Sequence, residues 1–326
     1  MKVLVTGAGG FLGRHLVAAL RARGDRVRAL VRPAARLEEL GWPEEVEVVR
    51  ADLRAAAPLE SAFDGVEVVI HLAAAVSGGE DLQFAAAVGG TERLLEAMAR
   101  TPCKRVVLAS SFSVYDFGRT RGTLDEDSPL HAVPELYARD GYTIAKWWQE
   151  KVARRLCERN GLALTVLRPG FIWGRGHAYL AALGQRLGRH HLVIGPCTRM
   201  PLTHVENCAD AFALAAREAR AAGETFNVID GPGERIWRYL GEYQRGTGER
   251  GWRLPVPYRI AILAVRVAYA TVFRSATKVP SILVPNRLES RLKPLRFENR
   301  KLRERLGWSP PLDHAACLAR TYGPWR

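Results

Sequence analysis

Within the first dozen residues an apolar run, Lys2–Thr6, turns into Thr6-Gly7-Ala8-Gly9-Gly10-Phe11-Leu12-Gly13, and a helical pattern follows at once. Few local sequences restrict a fold as strongly. Glycine is required where a strand turns sharply into a helix, where backbone must approach a pyrophosphate, and where helix packs closely on strand. A helix beginning there offers unpaired N–H groups and a partial positive charge to a phosphate. A glycine triad alone is weak evidence. Set between an apolar strand and a helix, Gly7, Gly10 and Gly13 predict a dinucleotide-binding βα turn.

The first half of the chain repeats that unit. Lys2–Thr6, Arg26–Val31, Val46–Arg50, Val66–His71, Arg105–Ala109 and Leu162–Leu167 read as strands buried on both faces. Leu12–Arg23, Leu59–Phe63, Gly89–Arg100 and Tyr142–Asn160 read as the helices between them. Such alternation predicts an α/β fold: a doubly wound parallel sheet of the Rossmann kind, covered by helices on both faces. The rhythm breaks after Arg168-Pro169-Gly170. Residues 1–170 are therefore expected to form the dinucleotide domain, with 206–229 returning to it through a helix over Ala209–Ala222 and a strand over Thr225–Ile229. Segments 171–205 and 230–326 are expected to form a smaller, discontinuous substrate cap.

Charge narrows the partners. The 326 residues carry 48 Lys and Arg against 34 Asp and Glu, a net charge of +14. Residues 251–326 alone hold 15 basic and 4 acidic side chains, so +11 of that charge lies at the C-terminal end. The main body is nearly balanced, which argues against a nucleic-acid reader. Five scattered cysteines with no CxxC predict free thiols and no metal site. No secretory pattern precedes the first strand and no run is long enough to span a bilayer, so a cytoplasmic location is expected.

Cofactor type turns on the end of the second strand, where an acid would bind the ribose 2′-hydroxyl of NAD. Here stands Val31-Arg32-Pro33. A guanidinium suits a 2′-phosphate, so Arg32 favours NADP(H), with NAD(H) the alternative. Arg14 is a second cation close by. Asp52-Leu53 falls where an adenine ring would lie, and the small residues of Leu72-Ala73-Ala74 let backbone approach the cofactor; His71 reads as a packed neighbour. The fifth strand runs into Ser110-Ser111-Phe112-Ser113-Val114-Tyr115, and Tyr142-Thr143-Ile144-Ala145-Lys146 opens a later helix. The i,i+4 spacing puts Tyr142 and Lys146 on one face. A hydride moving to or from a carbonyl carbon needs a proton donor or acceptor at the oxygen, and a free phenol titrates near ~10. An ammonium at Lys146 would lower that value, and Ser111 would hydrogen-bond the substrate oxygen. Tyr115 and Tyr137 compete for the role, but neither has a lysine four residues on.

With these residues the chain resembles the extended short-chain dehydrogenase/reductase superfamily, the group that includes nucleotide-sugar epimerases and dehydratases. The resemblance rests on Gly7–Gly13, Asp52-Leu53, His71-Leu72-Ala73-Ala74, Ser111 with Tyr115, Tyr142-x-x-x-Lys146, Arg168-Pro169-Gly170-Phe171-Ile172-Trp173-Gly174 and His204-Val205-Glu206-Asn207. It implies Ser111, Tyr142 and Lys146 as the catalytic set, Lys146 also on the nicotinamide ribose, and Pro169 and Ile172 against the nicotinamide. Phe11 and Leu12 belong to the phosphate loop. Arg32 and the His204 motif place the chain nearer to 3β-hydroxysteroid dehydrogenase-like and dihydroflavonol reductase-like enzymes. It departs from the pattern at Ala87, where the family usually carries an asparagine that helps order the active-site region, and at Asp116-Phe117, where glycine is common.

Three functions follow. The first is an NADP(H)-dependent oxidoreductase acting on a ketone or secondary alcohol, on an apolar scaffold. The second is a nucleotide-sugar epimerase or dehydratase recycling a tightly held NAD. The third is a cofactor-sensing protein without turnover, which the intact Ser111–Tyr142–Lys146 set argues against. Trp173, Arg175, His177, Tyr179 and Arg199 are the candidate substrate contacts. Tyr258–Phe273 is apolar except for Arg259 and Arg266. It reads as a cap helix at a pocket or dimer contact, with a peripheral membrane contact as the alternative. The resemblance makes a homodimer the default.

Overall fold

The computed structural model describes residues 1–55, 58–74, 79–132, 140–272 and 283–323. Its centre is a seven-stranded sheet of β1 (Lys2–Thr6), β2 (Arg26–Val31), β3 (Glu47–Arg50), β4 (Val68–His71), β5 (Arg105–Ala109), β6 (Ala163–Pro169) and β7 (Thr225–Val228). The order is β7-β6-β5-β4-β1-β2-β3, and every neighbouring pair is parallel. Parallel neighbours need crossovers, so helices cover both faces. The order reverses direction at β1 and β4, and a crevice opens there at the carboxyl ends of the strands.

Period-two alternation explains the two cores. Val3 and Val5 point into one, with Leu16, Val17 and Leu20 of α1 (Phe11–Ala22) and Ala209, Phe212 and Ala216 of α4 (Val205–Arg217). Leu4, Val69, Val106 and Leu108 point into the other, with Leu94, Leu95 and Met98 of α2 (Gly90–Ala99) and Ala153 and Leu156 of α3 (Gly141–Asn160).

Several expectations shift. β3 is an edge strand with three of its four residues exposed, because pairing stops beyond it. The pattern at Leu59–Phe63 is one 3-10 turn, Glu60–Phe63. The helix expected at Ala209–Ala222 begins at Val205, where His204 caps it, and ends at Arg217. Before α2 the chain makes a helical turn, Glu80–Phe84, and a π-turn, Ala85–Gly89.

The cap has its own core, in which Trp173, Leu180, Val193 and Met200 pack with α5 (Ile236–Thr247), α6 (Tyr258–Thr271) and α7 (Pro285–Leu292). The 230–326 segment does not all stay there: Leu302 and Leu306 of α8 (Arg300–Leu306) and Trp308 lie in the β1 core. α9 (His314–Tyr322) then packs on α5. In α6, Ala261, Ile262 and Val265 face the cap, while Ile260, Leu263 and Val267 are exposed. Arg259 is exposed and Arg266 pairs with Glu289 at 2.6 Å; Phe273 lies outside the described residues. No described helix is long and apolar enough to cross a membrane.

Candidate active site

A cleft of about 1000 Å³ runs along the carboxyl ends of the sheet strands. Gly7, Gly10, Phe11, Leu12, Gly13, Arg32, Asp52, Leu53, Leu72, Ala73, Ala74, Ser111, Tyr142, Lys146, Pro169 and Ile172 all line it. The sequence thus marks, from seven separate segments, side chains that the fold gathers on one surface.

At one end, the chain turns at Gly7 with φ +69. A Cβ there would meet the Ala73 amide nitrogen at 2.9 Å, so the glycine loop and the β4 end touch backbone to backbone. Gly10 caps α1 with no side-chain acceptor, and the first turn carries no acid. The first amides of α1 therefore lack an internal partner and border the cleft, as a pyrophosphate requires. These residues fit a dinucleotide. Arg14, Arg32, Arg36 and Arg54 line the cleft beyond the glycine loop. Arg14 donates to the Gly9 carbonyl (3.1 Å), Arg36 pairs with Glu39 (3.0 Å) and Arg54 with Asp52 (2.7 Å). Those Arg54 bonds, with Arg32 contributing, hold Asp52 down at about 2. The Arg32 guanidinium is exposed and has no ion pair among the described residues.

At the other end stands α3. Asp140 accepts from the Thr143 amide (3.1 Å) and fixes the start of the helix, which sets Tyr142 in its first turn and Lys146 one turn on. The Ser111 hydroxyl accepts from the Ser113 amide (3.1 Å) and lies beside the Tyr142 phenol. Burial pushes that phenol above its ordinary range, with Ser111 partly opposing. The expected lowering by Lys146 is absent, because the Lys146 ammonium turns elsewhere: it donates to the Ala109 carbonyl (2.7 Å) and to Gln149 Oε1 (2.9 Å). Burial brings Lys146 down to about 7, against the opposing pull of Glu150. Burial would raise Glu150, but Arg168 and Arg154 hold it at about 2. Ser110 donates to Glu150 at 2.6 Å, which ties β5, β6 and α3 into one block.

The competing residues have structural work. Tyr115 is fully buried and donates to Asn227 Oδ1 (2.8 Å). Tyr137 lies outside the described residues. Of the five candidate substrate contacts only His177 lines the cleft, stacked on Phe11 at 4.6 Å. Trp173 is buried between His204 and Tyr239, Arg175 bonds the Gly323 carbonyl, Tyr179 packs on Tyr243, and Arg199 donates to the Gly233 carbonyl (2.7 Å). Of these four only Trp173 is buried; the others bond or pack within the cap at or near its surface. The cleft is instead closed by Leu82, Ala86, Phe112, Phe117, Ser290 and Arg291, which no spacing in the sequence singles out; the departure at Asp116-Phe117 does place Phe117 on its wall.

The NAD-dependent epimerase/dehydratase family model matches residues 3–228. The 3beta-hydroxysteroid-dehydrogenase/decarboxylase isoform 1 of Arabidopsis thaliana is 30% identical, over 98% of this chain and 78% of that protein. A 4-hydroxy-2-methyl-3-oxo-4-farnesyl-3,4-dihydroquinoline-1-oxide ketoreductase of Stigmatella aurantiaca is 34% identical, over 71% of this chain and 69% of that protein. In three dimensions the chain resembles the UDP-glucuronic acid 4-epimerase of Bacillus cereus in complex with NAD. The TM-score is 0.74 at 19% identity, covering 99% of this chain and 97% of that one.

Proposed function

The chain belongs to the NAD-dependent epimerase/dehydratase family, and from that premise we propose that it is an NADP(H)-dependent oxidoreductase interconverting a ketone and a secondary alcohol on an apolar scaffold. What supports the reading is one juxtaposition: Ser111, Tyr142 and Lys146 share a single cleft with the α1 N-terminus and with Arg32, which has no ion pair among the described residues.

Gly7 to Gly13 would hold the pyrophosphate, Arg32 the 2′-phosphate, Asp52 and Leu53 the adenosine, Lys146 the nicotinamide ribose, and Leu72 to Ala74, Pro169 and Ile172 the remaining flanks. When bound, the nicotinamide supplies or accepts the hydride. The chain manages the oxygen. In reduction the Tyr142 phenol gives its proton to the carbonyl oxygen as the hydride reaches carbon, and the product is the alcohol. Oxidation returns that proton to Tyr142. Ser111 donates a hydrogen bond to the same oxygen and stabilises its developing charge. The burial that keeps Tyr142 protonated suits the reducing direction. Leu82, Ala86, Phe112, Phe117 and Phe171 give the substrate end an apolar lining. Relatives named for a hydroxysteroid and a farnesylated dihydroquinoline oxide support the apolar scaffold.

The test compares melting shifts with NADPH and NADH, then follows NADPH consumption over ketones on steroid and prenylated quinoline scaffolds. A larger shift with NADPH and turnover of an apolar ketone are expected. Stabilisation by NAD(H) together with a UDP-sugar, and no ketone reduction, would overturn the reading in favour of epimerase or dehydratase chemistry.

A further inference from the structure

Behind Lys146 lies a polar chain sealed from solvent. Lys146, Gln149, Thr91, His71 and Thr6 are all buried. An ammonium only donates, so the Gln149 side-chain oxygen must face Lys146 (2.9 Å), and its amide nitrogen then donates to Thr91 Oγ1 (2.9 Å). The Thr91 hydroxyl spends its single proton on the Ala87 carbonyl. His71 Nε2 therefore carries a proton and donates to Thr91 Oγ1 (2.8 Å), leaving His71 Nδ1 to accept from the Thr6 hydroxyl (2.6 Å). Every orientation in the chain is determined by its neighbour. The second Gln149 N–H points to the Ala73 carbonyl at 3.4 Å, on the cofactor side of the cleft.

Ala87, whose carbonyl ends this chain, occupies the place where the family resemblance expects an ordering asparagine, in the π-turn that packs on α3. A methyl group there orders nothing polar. We propose that Gln149 is the positioning residue of this site, an amide supplied from α3 in place of one from position 87. It fixes the Lys146 ammonium and ties it, through Thr91 and His71, to the backbone flanking the cofactor. Two of the three Lys146 donors are thereby committed to Ala109 and Gln149, and the third is left for the cleft. The inference rests on the role proposed above for Lys146.

The titration of Lys146 reads this directly, by the carbon NMR signal of a lysine labelled at Cε, with Lys146→Met used to assign it. The titratable groups near Lys146 are Glu150, locked to Arg168, the Tyr142 phenol, which burial keeps protonated, and His71, which stays neutral because burial holds it at about 3. Gln149→Leu removes an acceptor that favours the ammonium, so the Lys146 midpoint should fall by about one unit. Gln149→Glu, nearly isosteric, should raise it, and serves as the measurement if the leucine variant does not fold. NADPH affinity should drop about tenfold in Gln149→Leu, and Ala87→Asn in that background should restore it. Unmoved midpoints in both Gln149 variants would overturn the positioning role. If instead Lys146→Met binds and turns over as wild type does, the Ser-Tyr-Lys reading itself fails, which is a different result.

Discussion

Gly10 and Gly13 stand three residues apart in one loop, yet the structure gives them different work, and alanine separates the two. At Gly13 a Cβ would lie 2.3 Å from the Gly7 carbonyl oxygen and 2.5 Å from that of Ala8. Both are backbone atoms, so α1 must move off β1, at a cost on the order of 3 kcal/mol, the upper end for overpacking. At Gly10 the only neighbour within 4 Å is the Gly7 carbonyl oxygen at 3.2 Å, and φ −75 with ψ 175 suits any residue. Lower entropy of the unfolded chain stabilises Gly10→Ala by ~0.4–1 kcal/mol, and a poorer N-cap offsets much of that. Its stability should stay within about 1 kcal/mol of wild type. The added methyl nevertheless borders the cleft where a phosphate would meet the α1 amides. Losing one charge-assisted bond there costs ~1.5–3 kcal/mol, or roughly ten- to a hundredfold in affinity. Urea unfolding without nucleotide and an NADPH fluorescence titration supply the two numbers. Wild-type NADPH affinity in Gly10→Ala would refute the placement of the pyrophosphate, and wild-type stability in Gly13→Ala would refute the packing.

Tyr142→Phe should lower kcat by roughly 10²–10⁴ while leaving NADPH binding within a few-fold, since it removes only the proton donor; single-turnover and binding measurements check this. Arg32→Ser should weaken NADPH about ten- to a hundredfold and NADH hardly at all, as read by paired titrations. Lys146 titrates at about 7 in the fold and near ~10.4 in the unfolded chain. The unfolded state thus holds more protons between those values, and this group's contribution rises with pH from about 7 to 10, by ~4 kcal/mol at most. Urea midpoints for Lys146→Met should lack that rise when set beside wild type. Arg168→Met should destabilise the fold by ~1.5–3 kcal/mol by removing charge-assisted bonds to the buried Glu150 carboxylate, which Arg154 and Ser110 still hold, measured by the same unfolding assay.

The parts of the site that follow local rules were legible in the sequence. Gly7–Gly13 depends on backbone space alone, Tyr142 and Lys146 on helical spacing, and Arg32 on its position after β2; all of them line the cleft. What depends on tertiary burial was not legible. Hydropathy cannot tell an edge strand from a central one, so β3 read as buried. An Arg or Trp in the cap reads the same whether it faces a ligand or another cap residue, and of five candidates only His177 reaches the cleft. The direction of Lys146 was hidden as well, because the Ala109 carbonyl reaches it only when β5 and α3 pack together, although Gln149 lies one helical turn on in α3 itself. Gln149 carries no motif; the missing asparagine at position 87 put a relay through that position in doubt and pointed to no substitute.

The return of Leu302, Leu306 and Trp308 to the sheet has a mechanical consequence. Strands and helices of the cap are anchored to the sheet both before β7 and after α7, so the two lobes are laced together and share no single pivot. Opening the cleft wide would have to bend the connections before β7 and after α7 together, whereas a hinge joined by one linker bends at one place. A bulky substrate of the proposed kind would then be sized by the side chains that line the cleft, such as Ser290, Arg291 and Phe117. Selection between substrates would become a matter of aperture, set by a handful of replaceable residues.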